Sequence, residues 1–195
     1  MADYFEIKTD AAEDPVTLAE AKLWLKRGAM IADDAIITSL IKSATKQGED
    51  YCNRSFVERT FTGYFDSLQQ SAHEQHPFVE LRRSPLLTLS SVKVMAAAVL
   101  VDVASETYQL KPKSSYSRLL FTSAPSADDT AYPLQVEFIA GYGAASTVPD
   151  DLKTAIKEHV SFLYENRGDA LPDGGIGIPP QVREKYSKYR IVNTF

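Results

Sequence analysis

The sequence predicts an α+β fold: a helical core, an inserted small antiparallel β-sandwich or barrel, and an extended C-terminal arm. Two N-terminal segments and one late segment place apolar residues three and four positions apart, which is typical of amphipathic helices. The long stretch between them alternates apolar and polar residues, which is typical of half-buried strands. We assign the helical core to residues 1–56 and 147–168, the β domain to residues 57–146, and the linker and arm to residues 169–195.

The first helix follows a capping box, Thr17-Leu18-Ala19-Glu20. In this motif the Thr17 hydroxyl and the Glu20 carboxylate each satisfy a backbone N–H group at the start of the helix. We expect the helix to run to about Lys26, because Gly28 is a natural stop.

The second helix begins at Asp33 and Asp34, whose negative charges suit the positive end of a helix dipole. Asn53 suits a left-handed residue at its end. Together the two helices predict an antiparallel hairpin. The apolar stripe of the second helix contains Ile36, Ile37, Leu40, Ile41, Ala44, Gly48, Tyr51 and Cys52.

The β domain begins near Phe56, where short period-two runs separated by turn residues replace the helical pattern. In residues 59–66, Phe61 and Phe65 alternate with polar residues. Six or seven short strands at this spacing indicate an antiparallel sandwich or barrel, with polar loops at Gln69–His76 and Ser123–Pro133. The other predicted strands are residues 77–83, 86–95, 99–103, 107–111, 117–122 and 134–142.

The late helix spans residues 149–167, with Pro149 at its first position and Gly168 as its stop. We expect its apolar face to pack against the 34–52 helix and so to close a three-helix core. That face contains Leu152, Ala155, Ile156, Val160, Leu163 and Tyr164. The opposite, polar face carries Lys153, Lys157, Glu158 and Glu165.

The C-terminal segment Gln181–Phe195 follows a linker rich in glycine and proline. Tyrosine and arginine are the residue types that anchor protein interfaces, and this segment contains two of each. We expect it to fold on a partner; the alternative is that it packs back on its own helices. The candidate anchors are Tyr186, Tyr189, Arg190, Ile191 and Phe195.

Charge is distributed unevenly along a chain whose net charge is −5. Residues 1–20 contain six acids and one lysine, and residues 180–195 contain four bases and one glutamate. This pattern suits head-to-tail contacts between copies or a basic tail on an acidic partner; two solvated termini are the alternative. The acidic total argues against sequence-specific DNA binding. The sequence offers neither a membrane span nor a signal peptide, so we expect a cytoplasmic protein without membrane contact.

Catalytic, metal and cofactor sites are poorly supported by the sequence. His73 and His76 lie in a polar loop without the spacing or third ligand of a zinc site. We expect His159 to be a boundary histidine bonded to a carbonyl or side chain, and Cys52 to be a buried apolar residue. The glycine-rich run in 169–180 lacks the lysine and hydroxyl residue of a phosphate-binding loop. We therefore predict no cofactor and no enzyme activity.

Three stretches, read in order, resemble the head–tail connector (adaptor) proteins of long-tailed bacteriophages and gene transfer agents. They are PVTLAEAKLWLK (15–26), DDAIITSLIKSATKQGEDYCNRSF (33–56) and VEFIAGYGAASTVPDDLKTAIKEHVSFLYENRG (136–168). The resemblance extends from about Pro15 to Gly168. The strands of the insertion match by pattern only, and residues 169–195 match by character.

The resemblance implies a structural virion protein at the head–tail junction, assembled in the host cytoplasm. Such proteins form a ring, commonly of twelve copies, between the portal protein and a tail-side completion or terminator protein. Genomic DNA passes through the ring without sequence-specific binding. The family's C-terminal segment reaches the portal, which gives the five candidate anchors a portal-binding role. The polar face of the 149–167 helix becomes a candidate for contacts between subunits or for the channel wall.

Two other classes remain open at this point. A cytoplasmic α+β binding module would recognise a peptide or carbohydrate through its β insertion. A small enzyme would need a pocket that joins His159 with an acid and a nucleophile. For a connector, we expect the isolated protein to be monomeric or weakly associated and to assemble on the portal.

Overall fold

Nine strands and four α-helices make up the described part of the chain in the computed structural model. The described residues are 4–28, 31–71, 74–112, 116–127, 132–167 and 177–192. The chain forms two units, each with its own hydrophobic core. The β unit contains residues 1–10 and 58–141, and the helical unit contains residues 11–57 and 142–195. The α+β class predicted from the sequence is confirmed.

The β unit consists of two antiparallel sheets. The five-stranded sheet has the order β1-β2-β9-β5-β6, and the four-stranded sheet has the order β3-β4-β8-β7. The strands are β1 (Tyr4–Thr9), β2 (Arg59–Phe65), β3 (Gln69–Ser71), β4 (Glu74–Leu81), β5 (Leu86–Ala96), β6 (Val99–Asp102), β7 (Tyr108–Lys111), β8 (Ser117–Phe121) and β9 (Leu134–Ala140).

One hydrophobic core joins the two sheets, so the unit is a sandwich. Burial alternates along β8, along β9 and along β2 from Thr60 onward, as the period-two pattern predicted. Phe138 lies at the centre of the aromatic packing: its ring centroid is 5.8 Å from that of Phe61 and 6.2 Å from that of Phe5. The core also contains Phe65, Val79, Leu81, Val92, Leu119, Phe121, Leu134, Val136 and Ala140.

Two features of the β unit correct the sequence-based assignment. Residues 4–9 were assigned to the helical core, but they form β1 and pair with β2, with Tyr4 opposite Tyr64. Residues 69–76 were assigned to a polar loop, but Gln69–Ser71 and the start of β4 form an antiparallel pair. In both places polar side chains interrupt the apolar pattern that would predict a strand. These strands are stabilised by pairing with a neighbouring strand rather than by burial of their own side chains.

The helical unit contains α1 (Leu18–Trp24), α2 (Asp34–Cys52), α3 (Asp150–Glu165) and α4 (Pro180–Ser187). Both hydrogen bonds of the capping box at Thr17 are present. Asn53 ends α2 in the left-handed conformation, with φ 54°, as the sequence predicted. Pro149 caps α3 and Asn166 ends it, so this helix is slightly shorter than predicted.

The core of the helical unit lies between α2 and α3, whose apolar faces meet as expected. Unlike the predicted extended arm, α4 and the residues after it pack back on this core. This corrects the expectation that the described part of segment 181–195 leaves the subunit. Within the described chain, none of the helices combines the length and apolar character needed to cross a membrane.

Replacement of Phe138 by alanine tests the aromatic centre of the sandwich. We expect Phe138→Ala to lower the free energy of unfolding by about 3–5 kcal/mol, because it removes a fully buried ring and leaves a cavity. Ile139→Ala is the matched control, since Ile139 is the next residue of β9 and is only partly buried. Urea unfolding followed by circular dichroism measures both variants. Equal losses of unfolding free energy in Phe138→Ala and Ile139→Ala would contradict the assigned core.

Candidate functional site

The C-terminal segment 177–192 is the best-defined candidate region, because the sequence singled it out and the structure gives it specific contacts. Pro180 occupies the first position of α4, where its missing N–H group costs nothing. Val182 and Tyr186 are one turn apart and both are fully buried. Ile191, beyond the helix, is also buried. The segment is therefore attached to its own helical unit by three apolar side chains.

Tyr186 fills a pocket made by α2 and α3. Its ring centroid lies 6.1 Å from the ring centroid of Phe56, 6.5 Å from that of Tyr51 and 6.2 Å from that of His159. Gly48 makes the pocket possible, because a Cβ at that position would lie 2.8 Å from Cζ of Tyr186. Burial raises the pKa of the Tyr186 hydroxyl far above its ordinary value. The side chain is therefore neutral as well as buried.

The end of α2 supplies polar partners for the last described residues. The backbone N–H of Ile191 donates to the carbonyl of Cys52 at 2.9 Å. The side-chain amide of Asn53 donates to the carbonyl of Ile191 at 3.0 Å. Arg54 Nε donates to the carbonyl of Tyr189 at 2.5 Å. The left-handed turn at Asn53 therefore serves two purposes: it ends α2 and it presents donors to the C-terminal segment.

His159 contacts the start of the same segment. Its Nε2 lies 3.0 Å from the carbonyl oxygen of Gly177, and the side chain is fully buried. A carbonyl only accepts, so the neutral ring holds its proton on Nε2. The predicted bond to a carbonyl or side chain is confirmed, with a carbonyl as the partner, although the residue is buried rather than at the boundary. Desolvation lowers the pKa of His159.

On the polar face of α3, the amino groups of Lys153 and Lys157 contact other parts of the helical unit. Lys153 Nζ donates to the carbonyl of Ser146 at 3.3 Å. Lys157 Nζ lies 5.3 Å from the centre of the Trp24 ring, a cation–π contact. Both side chains are only partly exposed.

The other two residues of this face differ from each other. Glu158 pairs with Lys185 and so ties α3 to α4. Glu165 is exposed and accepts a 3.5 Å hydrogen bond from the Ser161 hydroxyl. Of the predicted set, Glu165 is therefore the carboxylate most available to another molecule.

The candidate anchors occupy different environments. Tyr186 and Ile191 are buried in the helical unit. Tyr189 is partly buried, and the exposed Arg190 places its guanidinium 4.8 Å from the centre of the Tyr51 ring. Phe195 lies outside the described residues.

Cys52, the single cysteine of the sequence, is buried. Burial raises the pKa of the Cys52 thiol to about 12, so this cysteine is not an activated nucleophile. Within the described ranges, no three His, Cys, Asp or Glu residues come together as metal ligands. His73 lies outside those ranges.

The five-stranded sheet carries an open groove, which is a candidate place for a peptide or carbohydrate. Its side chains are largely paired with one another: Lys8 with Glu137 at 2.7 Å, and the Tyr64 hydroxyl with Glu6 at 3.3 Å. Ligand pockets are mostly apolar with a few unpaired polar groups. The groove therefore lacks the character of a built ligand site.

The sequence did not predict the residues against which the C-terminal segment packs. Gly48, Cys52, Asn53 and Arg54 all contact it, yet none of these contacts was predicted. One signal was available. A glycine inside an otherwise well-formed helix costs about 1 kcal/mol relative to alanine, so Gly48 indicated a close approach by another group.

No family model matches this sequence, and no curated protein matches it either. Solved structures do match over nearly the whole chain. A chain from the neck of an empty gene transfer agent (GTA) particle, computed with C6 symmetry, gives a TM-score of 0.81 at 21% identity and covers 98% of this chain and 97% of that chain. This protein has the fold of a gene transfer agent neck chain.

Two further structures agree at the same coverage of 98% of this chain and 97% of the other. The neck of a native GTA particle, computed with C12 symmetry, gives a TM-score of 0.74 at 20% identity. The virion of a native gene transfer agent particle gives 0.70 at 23% identity. These likenesses establish the fold, and they confirm the fold that the connector resemblance implied.

Gly48→Ala tests the pocket for Tyr186. Alanine raises helix propensity, but its Cβ would lie 2.8 Å from Tyr186 Cζ and 3.0 Å from Phe56 Cε2. Overpacking of this kind costs about 1–3 kcal/mol, so we expect a net loss of stability and faster hydrogen exchange in α4. Gly28→Ala is the control, because nothing lies within 4 Å of its added Cβ. A more stable Gly48→Ala protein would refute the close approach.

The depressed pKa of His159 predicts a pH dependence. The unfolded chain binds a proton near the ordinary histidine value of 6.5 before the folded chain does. The stability contributed by the neutral ring is therefore complete above that value and is lost as the pH falls below it. We expect the urea midpoint to fall between about pH 7.5 and pH 5.5.

His159→Gln keeps a donor for the Gly177 carbonyl but does not titrate, so it should reduce this pH dependence. His76→Gln, in the β unit and exposed, is the control for the loss of a histidine. An unchanged pH dependence in His159→Gln would show that the buried imidazole is not the titrating group.

Proposed function

We propose that the protein is a structural head–tail connector of a phage-like particle. It forms a ring between the portal and the tail and extends the DNA channel. The observation that carries the proposal is the likeness to neck chains over 98% of this chain, together with the ordered resemblance of residues 15–26, 33–56 and 136–168 to connector proteins. A non-enzymatic role suits a chain whose only cysteine is buried with a raised pKa.

A cyclic assembly is the natural extension of this proposal. The similar neck structures were computed with C6 and C12 symmetry, which suits a twelve-fold ring of this chain. A ring needs two different faces on each subunit, because a head-to-tail contact closes by rotation. We place the ring at the head–tail junction of the virion, and its assembly in the host cytoplasm.

Portal binding falls to the end of the C-terminal segment. Tyr189, Arg190 and Phe195 are the proposed contacts, since Tyr189 and Arg190 keep part of their surface accessible. In this arrangement Tyr186 and Ile191 hold the base of the segment in the subunit. Many weak tails that engage one portal at once bind strongly in sum.

The polar face of α3 is the proposed surface for a neighbouring subunit or for the channel wall. Glu165 is its exposed carboxylate, and Lys153, Lys157 and Glu158 shape its surroundings. Its two lysines and two glutamates give this face no excess of positive charge that would hold phosphates, so genomic DNA slides past it without sequence-specific binding. A tail-side completion or terminator protein binds the opposite end of the ring.

Sedimentation of purified portal with and without this protein tests the proposal. We expect the protein alone to sediment as a monomer or weak oligomer, and to co-sediment with the portal as a ring of fixed copy number. The variant Tyr189→Ala/Arg190→Ala should weaken co-sedimentation by about tenfold or more, because interface tyrosine and arginine residues carry a large share of binding energy.

Lys46→Ala/Asp50→Ala is the matched control, since this pair is an exposed ion pair on α2, outside the C-terminal segment. It should leave co-sedimentation unchanged. A stable ring without portal would contradict assembly on the portal. Absence of any complex with portal would contradict the connector function itself.

A further inference from the structure

The exposed apolar side chains of the β unit are concentrated on two strands. Val99 is 61% exposed and Val101 48% on β6, while Tyr4 is 54% and Ile7 45% exposed on β1. The remaining large exposed apolar residues described in this unit are Leu87 and Leu100, and Leu100 also belongs to β6.

These two strands are the opposite edges of the five-stranded sheet, whose order is β1-β2-β9-β5-β6. All four residues of β6 are exposed. An edge strand presents backbone N–H and C=O groups that can pair with another strand, and proteins usually protect such an edge with charge, bulges or proline. The exposed apolar residues of β6 therefore suit pairing with another strand.

The direction of the strands suits a head-to-tail contact. Each neighbouring pair in this sheet is antiparallel, so with five strands the two edges run in the same direction. Rotation about an axis roughly along the strands preserves that direction. β6 of one copy and β1 of the next copy then run parallel, and the contact uses a different edge from each subunit, as ring closure requires.

Charge supports the same arrangement. β6 ends at Asp102, which pairs with Lys93 at 3.9 Å, and Lys8 near the end of β1 pairs with Glu137 at 2.7 Å. Both ion pairs leave surface accessible to a further partner, since the side chains of Asp102 and Lys8 are 79% and 56% exposed. In parallel strands these opposite charges lie toward the same end. Complementary charges at an interface fix its register and disfavour wrong partners.

We propose that the β units of neighbouring subunits meet edge to edge, with β6 of one copy against β1 of the next. The molecule that covers the exposed β6 edge is thus a second copy of this chain. This inference rests on the proposed ring and adds to it the surface through which the ring closes.

Paired cysteines test the contact in assembled portal–protein complexes. The variant Ile7→Cys/Val101→Cys, treated with a short bismaleimide cross-linker, should give a ladder of covalent oligomers on denaturing gels. Ile7→Cys alone and Val101→Cys alone should give none, because the contact joins two different edges. Native Cys52 does not interfere, since it is buried and its pKa is raised to about 12.

Leu23→Cys combined with Ile7→Cys is the matched control, because Leu23 is a strongly exposed apolar residue of the helical unit. A ladder from this pair as strong as that from the test pair would overturn the assignment. Dimers from Val101→Cys alone would indicate a symmetric β6 contact, and a cross-link to another protein would identify a different occupant. Either result overturns the proposal.

Electron micrographs of the same samples separate the two levels of inference. Rings without a ladder from the double-cysteine variant would refute the edge contact and leave the connector function intact. Absence of rings would refute the connector function, and the edge contact with it.

Charge substitution gives a second test that does not depend on cross-linker reach. Val99→Lys/Val101→Lys should reduce ring incorporation by at least about tenfold, because it places unpaired ammonium groups in the contact. Its thermal unfolding should match that of the parent, since both positions are exposed. Leu23→Lys is the control. Full incorporation of the double-lysine variant would overturn the proposal.

Discussion

The helical unit depends on the insertion of Tyr186 into the pocket above Gly48. α2 and α3 each have one apolar face, and α4 covers the part of that core that their own contact leaves open. Phe56 and His159 complete the pocket, and the hydrogen bonds from the end of α2 hold the chain beyond α4. A segment that looks in the sequence like a free arm is therefore a structural part of the subunit up to residue 192.

This attachment lowers the conformational entropy that the C-terminal segment loses when it binds the proposed partner. A disordered arm loses conformational entropy when it binds, whereas a segment already fixed by Tyr186 and Ile191 presents its last residues at a lower entropic cost. Under the proposed connector function, affinity comes from contacts such as those of Tyr189 and Arg190, many copies of which face one portal in a ring. In the β unit, likewise, the exposed apolar side chains of β1 and β6 belong to strands fixed in a packed sandwich.

Local patterns in the sequence predicted the elements that depend on local chemistry. The capping box at Thr17, the left-handed Asn53 and the period-two runs of β2, β8 and β9 all lie where they were expected. What the patterns missed depends on contacts between distant residues. β1 is a strand because it pairs with β2, and α4 is docked because Gly48 leaves room for Tyr186. For His159, the sequence predicted a bond to a carbonyl or side chain but did not identify the Gly177 carbonyl as the partner.

Cryo-electron microscopy of particle necks that contain this protein tests the connector function most directly. A head–tail connector predicts a closed ring of this chain directly beneath the portal. Each subunit should show both the sandwich and the helical unit, with Tyr186 in its pocket. Density for the chain outside the neck, or a neck from which it is absent, would contradict the proposed function.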